Sequence, residues 1–164
     1  MARVAVSIGS NLDRERNVRD ALAALGKIFG ELSCSPVYES AAYGFDGPPF
    51  YNLVVVFETL LDVRAVRAKI QAIENLQGRE IGENRSGSRS LDLDLLLYDD
   101  ADFFDQGFDV PRREIFEHAY ISKPLADLLP GVLHPVTGES FADIWLRLGS
   151  RQEALSIVDG LDLD

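Results

Sequence analysis

The feature that most constrains this chain is a change of hydrophobic period, from two residues to three or four, that happens twice in succession. Across residues 3–8, Val4, Val6 and Ile8 fall on one side of a first strand. Gly9, Ser10 and Asn11 then read as a tight turn. Over residues 13–29, Val18, Ala21, Leu22, Leu25 and Ile28 recur at helical spacing, and Gly30 supplies a stop. Residues 32–39 read as a second strand and the strongly apolar 50–58 as a third. Asp62 then caps a second helix with Val63, Val66, Ile70, Ile73 and Leu76 on its buried stripe. Residues 90–98 form a fourth strand, and 99–109 a turn with a short hairpin arm. Short helical pieces are expected around 113–119, 124–129 and 141–148. This order, βαββαβ with small C-terminal additions, predicts an α+β fold in which helices cover a mainly antiparallel sheet.

That order is the one found in ferredoxin-like cores. No repeat, linker or low-complexity stretch divides the 164 residues, so residues 1–164 are expected to form a single domain with an acidic tail over about 153–164. A hydrophobic fraction of 46% suits a globular chain with a real core. No apolar run approaches the roughly 18–20 residues of a membrane span, and the N-terminus turns polar too early for a signal peptide. One cysteine, Cys34, excludes an intrachain disulfide and reads as a small buried residue in a strand. A cytoplasmic location and no membrane partner are therefore expected.

The formal net charge of −11 argues against a nucleic-acid partner, whose binding normally rests on a basic surface. Against that acidity, Arg79, Arg85, Arg89, Arg112 and Arg113 fall close together with no lysine among them. Such a group suits a small polyanion, since guanidinium binds phosphate bidentately; scattered surface charge is the alternative. Beside it lies Leu91-Asp92-Leu93-Asp94-Leu95. In a strand, Asp92 and Asp94 share one face, roughly 6–7 Å apart at the backbone, while the leucines take the other. Paired carboxylates without histidine or cysteine suit Mg²⁺ shared with substrate phosphates. The same pattern also fits an ordinary half-exposed strand, and the flanking arginines favour the metal. A P-loop is excluded because its Gly/Lys signature is absent. His118 and His134 have no partner at metal-ligand spacing, and no serine–histidine–acid arrangement can be read.

Several segments together resemble the 6-hydroxymethyl-7,8-dihydropterin pyrophosphokinase family. They are Ser7-Ile8-Gly9-Ser10-Asn11-Leu12, Phe50-Tyr51-Asn52, Gln77-Gly78-Arg79, Arg89-Ser90-Leu91-Asp92-Leu93-Asp94, Val110-Pro111 and Lys123-Pro124-Leu125-Ala126. The resemblance covers residues 3–145. It implies a 2-amino-4-hydroxy-6-hydroxymethyldihydropteridine diphosphokinase of folate biosynthesis, moving pyrophosphate from ATP to the pterin's hydroxymethyl oxygen and releasing AMP. A relative acting on another pterin, or a pterin- or nucleotide-binding module without transfer activity, are the alternatives. By resemblance, Asp92 and Asp94 hold two Mg²⁺ ions and, with Arg79 and Arg89, form the catalytic group. The pterin falls to Ser40, Ala41, Tyr43, Phe50, Asn52 and Tyr120. The nucleotide falls to Gln71, Glu74, Arg79, Arg85, Arg89, Arg112, Arg113 and His118. A monomer or weak dimer is expected.

The chain also departs from the family pattern. Arg112 stands where a histidine usually follows Val-Pro, and His118 where an arginine is usual. The loop from Arg85 to Arg89 lacks the usual tryptophan and proline, and Ile81 and Gly82 replace basic residues.

Overall fold

The computed structural model describes residues 1–42, 46–77, 91–149, 154–161 and 163. Tyr43, Arg79, Ile81, Gly82, Arg85, Ser86 and Arg89 therefore lie outside the described residues.

The first strand, β1 (Ala2–Ser10), runs on through Gly9 and Ser10, which the sequence had suggested as a turn. Helix α1 (Arg14–Phe29) ends at Gly30, whose φ of 85° suits a residue without a Cβ. The predicted second strand is split into β2 (Ser33–Cys34) and β3 (Tyr38–Ser40). Pro36 has no N–H for the ladder, and at the break Ser35 pairs with Val54 through both its N–H and its Oγ, each at 2.9 Å. Cys34 is in a strand as expected but exposed rather than buried.

Strand β4 (Phe50–Thr59) leads to helix α2 (Val63–Gln77), where Asp62 Oδ1 accepts the Ala65 N–H at 2.8 Å as an N-cap. Leu76, assigned to the buried stripe, is 86% exposed. At roughly 100° per residue it falls about 60° outside the arc holding Val63, Val66, Ile70 and Ile73, whereas Glu74, only about 20° beyond the other edge of that arc, is buried. Strand β5 (Asp92–Tyr98) follows. Residues 99–109 form a turn and a 3₁₀ segment (Phe104–Gln106) rather than a hairpin arm. Phe103 meets Tyr98 and Phe108 edge-to-face there, so ring packing holds the loop.

The sheet order is β5-β1-β4-β3-β6, with β2 also on β4, and all pairings are antiparallel. The last strand, β6 (Ser156–Ile157), lies inside the acidic tail, and Val158, Leu161 and Leu163 beyond it pack against the core. Two cores sandwich the sheet. One, between the sheet and α1/α2, holds Val4, Val6, Ile8, Leu25, Leu53, Leu91, Leu93 and Leu95.

The other core lies under α3 (Ala119–Leu128) and α4 (Phe141–Gly149), the C-terminal additions. It holds Ala5, Val54, Leu96, Leu97, Ile121, Leu125, Phe141 and Ile144. A bulge between Ala5 and Val6 lets both Leu96 and Leu97 serve this second core. Asp127 anchors α3 by accepting from the Tyr38 hydroxyl of β3 and from Lys123 Nζ.

Candidate active site

Two rows of cross-strand neighbours make the floor of the site. Asp94 pairs with Ser7, which pairs with Val54; one step along, Asp92 pairs with Gly9, which pairs with Asn52. With strands about 4.8 Å apart, Asp92 and Asn52 stand about 9–10 Å apart across Gly9. Gly9 supplies the open space between them. A Cβ there would lie 3.4 Å from Asn52 Oδ1 and 3.8 Å from the Phe50 ring, and anything longer would fill the space. The turn reading missed this role, because it appears only once the register is known.

Above that floor is a cavity of about 110 Å³ whose lining includes Ser40, Ala41, Phe50, Asn52, Asp92, Asp94 and Tyr120. All the described residues assigned to the pterin thus come together. Asn52 is buried and donates from Nδ2 to Ser40 Oγ at 2.8 Å, which fixes its amide plane. Tyr120 lies against His118, ring centroids 4.7 Å apart and nearly parallel. Arg14 and Asn11, which sequence reasoning passed over, donate to the carbonyls of Pro49 and Pro48 at 3.1 and 3.2 Å. Arg14 also pairs with Glu39 and covers the Tyr51 ring. Both side chains hold residues 48–49 against the sheet.

A second cavity, of about 250 Å³, opens on the other side of the same carboxylates and is lined by Gln71, Glu74, Asp92, Asp94 and Arg112 among others. Arg67 belongs to this wall and was not foreseen. Its signal was available: Arg67, Gln71 and Glu74 recur at i, i+4 and i+7 on one flank of α2. Glu74 is buried, and its Oε2 accepts the Leu93 N–H at 2.8 Å, tying α2 to β5. Arg113 and His118, the other nucleotide assignments, line neither cavity. Arg113 is turned to solvent, paired with Asp109 at 3.7 Å, and His118 sits at the start of α3.

Asp92 and Asp94 therefore face both cavities. Burial pushes the Asp94 carboxyl up to about 7, and the negative charges of Asp92, Glu114 and Glu74 add to that, while the Arg112 guanidinium opposes it. Arg112 lies 3.2 Å from Asp94 and 3.1 Å from Glu114. Among the described residues no group of three or more His, Cys, Asp or Glu is arranged to hold a metal ion. Two carboxylates with excess negative charge around them do fit a hard dication that completes its shell with water and phosphate oxygens.

The chain is thus a ferredoxin-like α+β fold in which the carboxylates of Asp92 and Asp94 are shared by two cavities. Residues 5–130 match the family described as 7,8-dihydro-6-hydroxymethylpterin-pyrophosphokinase (HPPK). The chain belongs to that family. It is 37% identical over 142 residues to the 2-amino-4-hydroxy-6-hydroxymethyldihydropteridine pyrophosphokinase of Pseudomonas aeruginosa, covering 81% of this chain and 84% of that one. It is 32% identical over 148 residues to the folic acid synthesis protein fol1 of Pneumocystis carinii. That match covers 88% of this chain but only 20% of the fungal protein, so the chain spans about a fifth of that relative. In structure it superposes on wild-type Plasmodium falciparum HPPK-DHPS with a TM-score of 0.71 and 14% identity, covering 92% of this chain and 45% of that one. No described helix is long and apolar enough to cross a membrane.

Proposed function

We propose that residues 1–164 act as one pyrophosphokinase domain that transfers pyrophosphate from ATP to the hydroxymethyl group of 6-hydroxymethyl-7,8-dihydropterin, releasing AMP. The observation that carries this is the sharing of Asp92 and Asp94 by two cavities, one suited to a flat heterocycle and one flanked by Arg67, Gln71 and Arg112. Family membership and the names of the relatives support the same reading.

The pterin lies over Gly9, with its ring edge toward the Asn52 amide and its hydroxymethyl arm toward Asp92. An amide offers a donor and an acceptor to a heterocycle edge, and Phe50 and Tyr120 supply aromatic walls. The triphosphate lies in the second cavity, along Gln71 and Glu74, with Arg112 toward its phosphates. Arg79, Arg85 and Arg89 are assigned to the same phosphates, and Tyr43 to the pterin loop. The pterin oxygen forms a bond to the β-phosphorus as the bond from that phosphorus to the α–β bridging oxygen breaks. The hydroxyl proton leaves to solvent, and AMP departs with the electron pair.

Asp92 and Asp94 would hold Mg²⁺, which supplies charge neutralisation along the phosphates when bound. The protein's own contribution is to hold two reactants in line on either side of Asp92 and Asp94 and to place cations where charge develops.

The test is incubation with Mg-ATP and the pterin, followed by AMP. Product must form and must be lost in Asp94→Ala. If calorimetry shows pterin binding while no AMP appears, the domain binds without transferring and the proposal fails.

A further inference from the structure

Arg112 stands at the hinge between the two cavities. It lines the nucleotide side, its partner Glu114 lines the pterin side, and Asp94 lines both. Its terminal nitrogen is 3.2 Å from Asp94 Oδ1 and 3.1 Å from Glu114 Oε1, while Nε donates to the same Glu114 oxygen at 3.2 Å. The side chain is 26% exposed, so this pair is shielded from much of the solvent. Its backbone N–H is fixed to the Leu96 carbonyl at 2.9 Å. That bond ties the main chain at this point to the edge strand β5.

We infer that Arg112 is the resident counter-ion of Asp94, and that nucleotide phosphates must draw its guanidinium away before a divalent cation takes that carboxylate oxygen. The inference rests on the reading of Asp92 and Asp94 as the metal-holding pair. A dication and a guanidinium compete for the same oxygen lone pairs and repel one another at that distance. A triphosphate offers the guanidinium a stronger, bidentate partner. Glu114 keeps hold of Nε, so the terminal nitrogens swing about a retained contact rather than leaving both partners at once. Metal and nucleotide binding become coupled, and the coupling is reciprocal: each ligand raises the affinity for the other. A neutral imidazole at position 112 would leave Asp94 open to metal at all times.

The experiment measures Mn²⁺ binding by electron paramagnetic resonance, with and without the α,β-methylene analogue of ATP. It compares the unaltered protein with Arg112→Met and Arg112→His. Both variants are expected to bind Mn²⁺ alone about fivefold tighter, to bind the analogue without metal several-fold more weakly, and to show reduced coupling between the two. Opposite signs for metal and nucleotide separate this role from general damage to the fold, which weakens both. Mn²⁺ binding that is unchanged or weaker in both variants overturns the inference. Absence of protein-bound Mn²⁺ in every form, analogue present, overturns instead the metal reading beneath it.

Discussion

On the α1/α2 side of the sheet, the stretch around β5 presents Leu91, Leu93 and Leu95 to the core; on the opposite side Asp92 and Asp94 reach a cavity over Gly9 and, round the β5 edge, a second one walled by α2. The same alternation governs both faces, yet what covers them differs. Two long helices seal the first face, except at the β5 edge, where the flank of α2 with Leu93 and Leu95 lines the second cavity. On the second, α3 and α4 cover Ala5, Val54, Leu96 and Leu97 but leave the row Asp92–Gly9–Asn52 open. The helix-covered interior of the first face therefore carries most of the core, while the open second face and the β5 edge carry the cavities, and a substitution is expected to show which it belongs to by which quantity it changes.

The largest effect separates the two cleanly. Asp92→Ala or Asp94→Ala is expected to lower the rate of AMP release by on the order of a thousandfold, with chemical denaturation showing a fold at least as stable as before. The converse is Leu25→Ala on the sealed face, where a fully buried side chain is removed. Its expected cost is about 2–4 kcal/mol in urea unfolding, with pterin affinity of the folded protein unchanged. Equal loss of pterin affinity would show that the faces are not independent. Asn52→Ala should weaken pterin binding by roughly tenfold or more in calorimetry, because the amide proposed to read the ring edge is gone.

The smallest effect is one of pH. Asp94 is pushed up to about 7 by its burial and its acidic neighbours. Its neutral form is favoured in the fold, so this group costs nothing below about pH 4, costs progressively more as pH rises toward 7, and costs most above it. Without divalent metal, Asp94→Asn should raise stability at pH 8 by on the order of 1 kcal/mol, and the gain should fade as pH falls toward 4. A gain independent of pH would show that Asp94 is not the group responsible.

The sealed face was almost fully legible from periodicity, because burial against a long helix imposes a repeat that the residue types must obey. The errors there are local and physical. Leu76 is apolar but lies off the arc, and Pro36 divides what looked like one strand. The open face was legible only in part. The shared side of Asp92 and Asp94 follows from strand geometry alone. That Asp92 faces Asn52 across Gly9 depends on register, which no single strand encodes. Arg112 reaching Asp94 is a contact between a loop and the edge strand, and spacing has no bearing on it, whereas its pairing with Glu114 is local, two residues along. The pterin set came from resemblance and assembles around one cavity, whereas Arg113 and His118 fall outside both.

Strand β5 is also the border of the sheet, and two of its outward-facing backbone groups are already taken: the Leu93 N–H by Glu74 and the Leu96 carbonyl by the Arg112 N–H. A bare border of this kind is a template for strand addition by another copy, and so for insolubility. Glu74 is thus a plug as well as a wall of the second cavity. Glu74→Ala should reveal this as concentration-dependent aggregation, even in assays that contain no ligand at all.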